Sequence, residues 1–186
     1  MKIALISTIR GKEFQLQALE KIISFLKSKK HDVFYQHLTD TSQQKMDDMS
    51  FNEDLKFHMR ILSEIEKADL VISEASHQSL SVGYLISYAV EKGKPTIVLY
   101  SSKSPKPNLF YTLSFSDKLI LSDYYSIDDI PENLKACICT IMEQQDTRYN
   151  LIIPLKMNNY LKKYSKVNNI SRASYIRSLI RKQMEE

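Results

Sequence analysis

Three serines crowd the stretch Glu74-Ala-Ser-His-Gln-Ser-Leu-Ser-Val82, between the apolar run Leu70-Val-Ile72 and a helical pattern. Hydroxyls at Ser76, Ser79 and Ser81, with the backbone N–H groups that open a helix near Val82, make a donor-rich corner suited to an anion. Arg10, at the mouth of the first apolar run, would add a charge-assisted contact. Simple helix capping also accounts for serines at such a place. His77, in the same turn, could meet a base or a phosphate, or face solvent.

Other chemistries are excluded by what the chain lacks. Its three glycines, Gly11, Gly83 and Gly93, are scattered, so neither a dinucleotide fingerprint nor a P-loop can form. Cys137 and Cys139 lie two apart with no His or Cys cluster nearby, which argues against a disulfide framework or a zinc site and for helix packing. No cofactor and no metal are expected. No apolar run reaches the ~20 residues of a membrane helix, and Met1 to Thr8 is too short for a signal peptide. A soluble, reduced, cytoplasmic protein is the expectation.

The elements that must hold the corner alternate strand and helix. Apolar runs at Lys2–Ser7, Asp32–Leu38, Asp69–Ser73, Pro95–Tyr100 and Lys118–Leu121 read as strands. Helical spacing runs through 13–30, Asp54–Lys67, Val82–Lys92 and Pro131–Glu143, and residues 40–50 read as a polar loop. On the third segment the stripe reads Leu55, Met59, Leu62, Ile65. The alternation predicts an α/β fold, a Rossmann-like parallel sheet covered on both faces. Ligands in such sheets bind beyond the carboxyl ends of the strands, so Ser7–Arg10 and Glu74–Ser81 should line one crevice.

The segment Ala68-Asp-Leu-Val-Ile-Ser-Glu-Ala-Ser-His-Gln-Ser-Leu-Ser-Val-Gly-Tyr84, with Ser7-Thr-Ile-Arg-Gly11, resembles the deoxynucleoside monophosphate N-glycosidases of the nucleoside 2-deoxyribosyltransferase superfamily. The resemblance covers residues 1–145 and implies a nucleotide monophosphate ligand. It carries a 5′-phosphate site onto Ser7, Arg10, Ser79 and Ser81, with Ile9, Asp69 and Tyr84 bordering the ligand and Asn108 near the position of a serine that a neighbouring subunit supplies. Ser7 and Ser81 stand where the family usually has glycine. The family's nucleophilic glutamate follows Gly-Tyr; here that place is Leu85, and a first-strand tyrosine falls on Ala4. Leucine has no lone pair to attack a sugar. If chemistry survives, Glu74 or Asp69 has to carry it, although Glu74 also reads as a structural carboxylate at a strand end.

Residues 148–186 hold nine basic and two acidic side chains, a net +7, whereas the other 147 residues net −3. A basic module of this kind suits an anionic partner or a solvated helical face. Leu151, Ile153 and Leu155 alternate with Asn150, Ile152 and Pro154, as in a strand; two helical patterns follow, the second N-capped by Ser171. About 39 residues cannot bury these faces alone, so a second copy is expected. Ser171-Arg-Ala-Ser-Tyr-Ile-Arg-Ser-Leu-Ile180 resembles the ribbon-helix-helix DNA-binding family. That resemblance implies a homodimer or higher homo-oligomer contacting duplex DNA through Asn150, Ile152, Lys156, Ser171 and Arg172. The sequence thus reads as a nucleotide-binding pseudoenzyme acting as a ligand-responsive DNA-binding regulator. The alternative is an active N-glycosidase or deoxyribosyltransferase whose tail only assembles it.

Overall fold

The computed structural model describes residues 1–10, 15–77, 79–105, 116–144, 151–168 and 170–184. By contacts it divides into two units, Met1–Gln145 and Asp146–Glu186. In the first unit the strands are β1 (Lys2–Ser7), β2 (Asp32–Phe34), β3 (Leu70–Glu74), β4 (Thr96–Ser101) and β5 (Leu119–Tyr124). They form one sheet in the order β2-β1-β3-β4-β5, every neighbouring pair parallel. The fold is α/β, of the nucleoside deoxyribosyltransferase-like kind. β1 and β3 lie side by side, with Leu5 opposite Ile72 and Ser7 opposite Glu74. From that pair the chain winds outward in opposite directions, which leaves their carboxyl ends without a covering connection.

Alternation along β1 sorts the core into two layers. Ile3 and Leu5 pack with Leu19, Ile22 and Leu26 of α1 (Leu16–Ser28), and with Leu134, Ile138 and Ile141 of α6 (Ile130–Gln144). Ala4 and Ile6 pack on the other face with Ile61 and Ile65 of α4 (Phe51–Lys67), and with Val82, Leu85, Ile86 and Ala89 of α5 (Leu80–Glu91). Both faces being covered explains why the central strands read as unbroken apolar runs. Cys137 is buried on α6 while Cys139, two positions on, faces out, and both are free thiols.

Local chemistry sets the helix ends. Glu53 accepts hydrogen bonds from Ser50 N–H (2.9 Å) and Ser50 Oγ (2.6 Å), a capping arrangement that starts α4 at Phe51, three residues before the expected Asp54. Gly93 ends α5 in the left-handed region at φ 70°. β2 is only three residues long, and Gln36–Thr39 forms a short α2 where the strand was expected to continue. Gln43–Asp47 forms α3 inside the expected loop, with Ser42 Oγ accepting from Lys45 N–H at 3.2 Å.

In the second unit, α7 (Leu155–Asn168) and α8 (Arg172–Met184) follow an irregular stretch from Leu151 to Pro154. The strand expected there is not formed, because a ribbon needs a second strand to take its N–H and C=O groups. Ser171 caps α8, its Oγ accepting from Ser174 N–H at 3.0 Å. Tyr164 and Tyr175 stack with ring centroids 4.0 Å apart. Leu155, Met157, Val167, Leu179, Ile180 and Met184 stay exposed.

Ile72, fully enclosed at the centre of β3, tests how far the layers depend on the middle strand. Ile72→Ala is expected to cost about 3–4 kcal/mol, the transfer term plus an unfilled cavity. It should lower the urea midpoint without changing the slope of the transition.

Candidate functional site

The carboxyl ends of β1 and β3 are tied together before any ligand is considered. Ser7 Oγ lies 2.9 Å from the Glu74 carbonyl oxygen, to which it donates, and 2.8 Å from the Gln15 side-chain amide. Thr8 Oγ1 donates to the Arg10 carbonyl (2.9 Å) and shapes the turn that presents Arg10. Across the gap, Ser79 stands at the N-cap of α5 in extended conformation, but its hydroxyl makes no capping hydrogen bond. The first N–H groups of α5 and the Ser79 and Ser81 side chains therefore meet Arg10 at the rim of a cavity of about 540 Å³. Arg10 Nη2 is paired with Asp47 Oδ1 at 2.7 Å, both side chains largely exposed. Such a pair is worth ~1 kcal/mol or less, so an arriving anion can compete for the guanidinium.

The far wall of the cavity comes from α4, whose Asp54, Phe57, His58 and Ile61 share one face at i, i+3, i+4, i+7 spacing. His58 Nδ1 lies 3.0 Å from the Asp54 carbonyl oxygen and 3.2 Å from Asp54 Oδ1. From α2, His37 stacks on Phe34 at 4.8 Å between ring centroids. Burial, helped by the positive charge of Arg60, lowers its pKa to about 4, so the ring is neutral at neutral pH. Neither of its ring nitrogens has a protein partner. Leu85 lines the cavity from α5.

Ser7, Ile9, Arg10, Ser79 and Ser81 thus come together around one cavity, although the Ser7 hydroxyl is already engaged inward. Asp69 does not join them. It enters β3 whereas Glu74 leaves it, a separation of about 16 Å at the rise of an extended strand. Its Oδ2 accepts from Lys2 N–H (2.7 Å) at the amino edge of the sheet. Tyr84 is more than half exposed and lies against Tyr88, not among the lining residues. Asn108 and Asn150 lie outside the described residues. Among the expected DNA-contacting residues, Ile152 is exposed, Lys156 belongs to the first turn of α7, and Arg172 donates to Asn158 Oδ1 (2.8 Å).

Glu74 is completely enclosed. It continues the Leu70–Ile72 alternation and so faces the α1–α6 layer, away from Leu85. Its Oε1 accepts from Tyr124 OH (2.9 Å), from Ser76 N–H (3.3 Å) and from Ser76 Oγ. Ser76 is thereby drawn out of the expected anion corner. Burial raises the Glu74 pKa, only partly offset by the Ser76 and Tyr124 hydrogen bonds. The same burial, with the neighbouring Glu74, raises the Tyr124 phenol.

The sequence reading missed His37, Asp54 and His58. The cause is phase: Leu55 and Met59, assigned to the inner stripe of α4, are exposed, and Ile61 and Ile65 are the buried pair. The available signal was the run Asp54, Phe57, His58, Ile61, Ile65, which gives a polar end to an otherwise apolar face. Among the described residues no cluster of three or more His, Cys, Asp or Glu is placed to hold a metal ion, and no helix is long and apolar enough to cross a membrane.

The sequence matches no family model. Over 99 residues, 53% of this chain and 67% of the relative, it is 31% identical to a protein of Thermofilum pendens provisionally named 2′-deoxynucleoside 5′-phosphate N-hydrolase 1. It is 29% identical over 104 residues, 56% of this chain and 84% of the relative, to the protein provisionally given that name in Methanococcoides burtonii. It is 29% identical over 97 residues, 52% of this chain and 59% of the relative, to the 5-hydroxymethyl-dUMP N-hydrolase of Rattus norvegicus. The solved structure of a Clostridium botulinum CMP N-glycosidase matches with a TM-score of 0.55 over 73% of this chain and 98% of that one, at 20% identity. A 2-deoxyribosyltransferase of Bacillus psychrosaccharolyticus matches with a TM-score of 0.53 over 70% and 90%, also at 20% identity.

The raised Glu74 pKa has a testable sign. The folded state keeps this proton where the unfolded chain has lost it, so stability falls as pH rises from the ordinary carboxylate range through the folded pKa. Glu74→Gln removes that titration. Its melting temperature relative to the native chain should rise from pH 4 to pH 8, as followed by scanning fluorimetry.

Proposed function

This chain belongs to the 2′-deoxynucleoside 5′-phosphate N-hydrolase family, and from that premise we propose that residues 1–145 bind a 2′-deoxynucleoside 5′-monophosphate and hydrolyse its N-glycosidic bond. The observation that carries the reading is the cavity whose rim combines the α5 N-terminus, the uncommitted Ser79 hydroxyl, Ser81 and Arg10. Backbone N–H groups at a helix start, hydroxyl donors and one guanidinium form a phosphate cradle. Some 540 Å³ behind them accommodates a ligand of nucleotide size. The walls beyond the rim, Ile9, Phe57, Ile61, Val82 and Leu85, are apolar and suit the faces of a sugar and a base.

Leu85 supports a second reading, in which the domain holds the nucleotide without cleaving it. The leucine stands where the resembled enzymes carry their nucleophilic carboxylate, and neither Asp69 nor Glu74 faces it. In that reading residues 148–186 pair two copies as a ribbon-helix-helix module on duplex DNA, making the chain a ligand-responsive regulator. The +7 charge, the Ser171 cap and the exposed apolar residues of α7 and α8 support the module.

Base release from a panel of deoxynucleoside monophosphates, run beside calorimetry, separates the readings: turnover favours the hydrolase, whereas heat of binding without turnover favours the receptor. Arg10→Ala should weaken binding of a monophosphate about tenfold or more, the worth of one charge-assisted hydrogen bond. It should leave the corresponding nucleoside unaffected. If the tail engages DNA, full-length protein should shift a duplex at ~50 mM salt and release it steeply as salt rises, while a chain ending at residue 145 should not bind.

A further inference from the structure

A carboxylate nucleophile is missing from position 85, but the cavity is not without a group able to activate water. Asp54 is the one carboxylate among its described lining residues, and it sits one helical turn before His58. Two Asp54 oxygens lie within 3.2 Å of His58 Nδ1. An imidazole nitrogen facing two acceptors carries the ring proton, which leaves the lone pair on Nε2. His58 is also steadied edge-on by Phe57, with ring centroids 5.6 Å apart.

The other titratable or charged groups around the cavity are differently committed. Arg10 of the β1 turn is paired with Asp47 of α3. His37 of α2 is buried beside the positive Arg60 and has no hydrogen-bonded carboxylate. His77, in the turn before α5, acts electrostatically on the enclosed Glu74, and among the described residues no carboxylate is hydrogen-bonded to it.

We propose that His58, oriented by Asp54, is the general base that delivers water directly to the anomeric carbon, so that this chain cleaves with inversion rather than through a glycosyl-enzyme. The inference rests on the hydrolase reading above and adds the reaction course. The water proton passes to His58 Nε2 as the water oxygen bonds to C1′. The C1′–N bond breaks with its electron pair on the base nitrogen, which takes a proton from solvent on the face opposite His58, while the imidazolium gives its proton up to solvent. One water is consumed, and one C1′–O–H and one N–H are formed. The apolar Leu85 fits this course, because it leaves no carboxylate to capture C1′ first.

The experiment is solvolysis of deoxynucleoside monophosphates in water–methanol, with the anomer of the methyl deoxyriboside 5-phosphate read by proton NMR. From a β-configured substrate the α-methyl product is expected. His58→Asn should lower kcat about 10²–10³-fold with KM nearly unchanged, and Asp54→Asn, acting through His58, should lower kcat by a smaller factor, again without moving KM. A β-methyl product, a deoxyribosyl-phosphate adduct on the protein by mass spectrometry, or native kcat in His58→Asn would overturn the inference while leaving the hydrolase reading intact. Bound monophosphate with no base released from any substrate would overturn both and leave only nucleotide binding.

Discussion

The parallel pairing of β1 with β3 is the constraint from which the rest of the first unit follows. Two strands pointing the same way, each followed by a helix on a different face, end in backbone groups that no connection covers. Ser7 donating to the Glu74 carbonyl closes the seam between the two strand ends without filling the space above them. Part of the cavity lining is then hung from that seam: Arg10 from one turn, and Ser79 and Ser81 from the other. The α4 and α2 side chains form the facing wall.

The chemistry of the cavity is unusual for its relatives in one respect. Proteins similar to this one are named for hydrolysis of the bond between base and sugar, yet the α5 position that would supply a nucleophile is hydrocarbon. Glu74, at the carboxyl end of β3, is spent on the opposite layer, its pKa raised by burial and its carboxylate held by Tyr124 and Ser76. A carboxylate that side chains hold this tightly in a closed space is a packing element.

The sheet was legible because burial on both faces writes itself as apolar runs, and strands alternating with helices have few topologies open to them. That Ser7, Arg10, Ser79 and Ser81 share one cavity was legible for a related reason, since they lie where two adjacent strands hand over to the chain that follows. What failed were judgements of direction. The resemblance assigned Asp69 to the ligand, although a residue entering a parallel strand stands at the edge away from the crevice. Glu74 was at the right edge but on the wrong face, which the Leu70–Ile72 alternation already fixed. On α4, a one-residue slip in phase, about 100° around the helix, exchanged Leu55 and Met59 for Asp54 and His58. Leu151–Pro154, expected as a strand, is irregular within the single chain.

The Arg10–Asp47 contact gives the guanidinium a counterion on α3. A phosphate of the kind proposed would have to exchange with that carboxylate. Under the proposed function, the contribution of Arg10 is then the difference between two ion pairs, made beside the N–H groups of α5 and the serine hydroxyls. Asp47 ends a five-residue helix whose Met46 is partly buried against the core and also lines the cavity, so the counterion of Arg10 is held by a piece of the cavity's own wall.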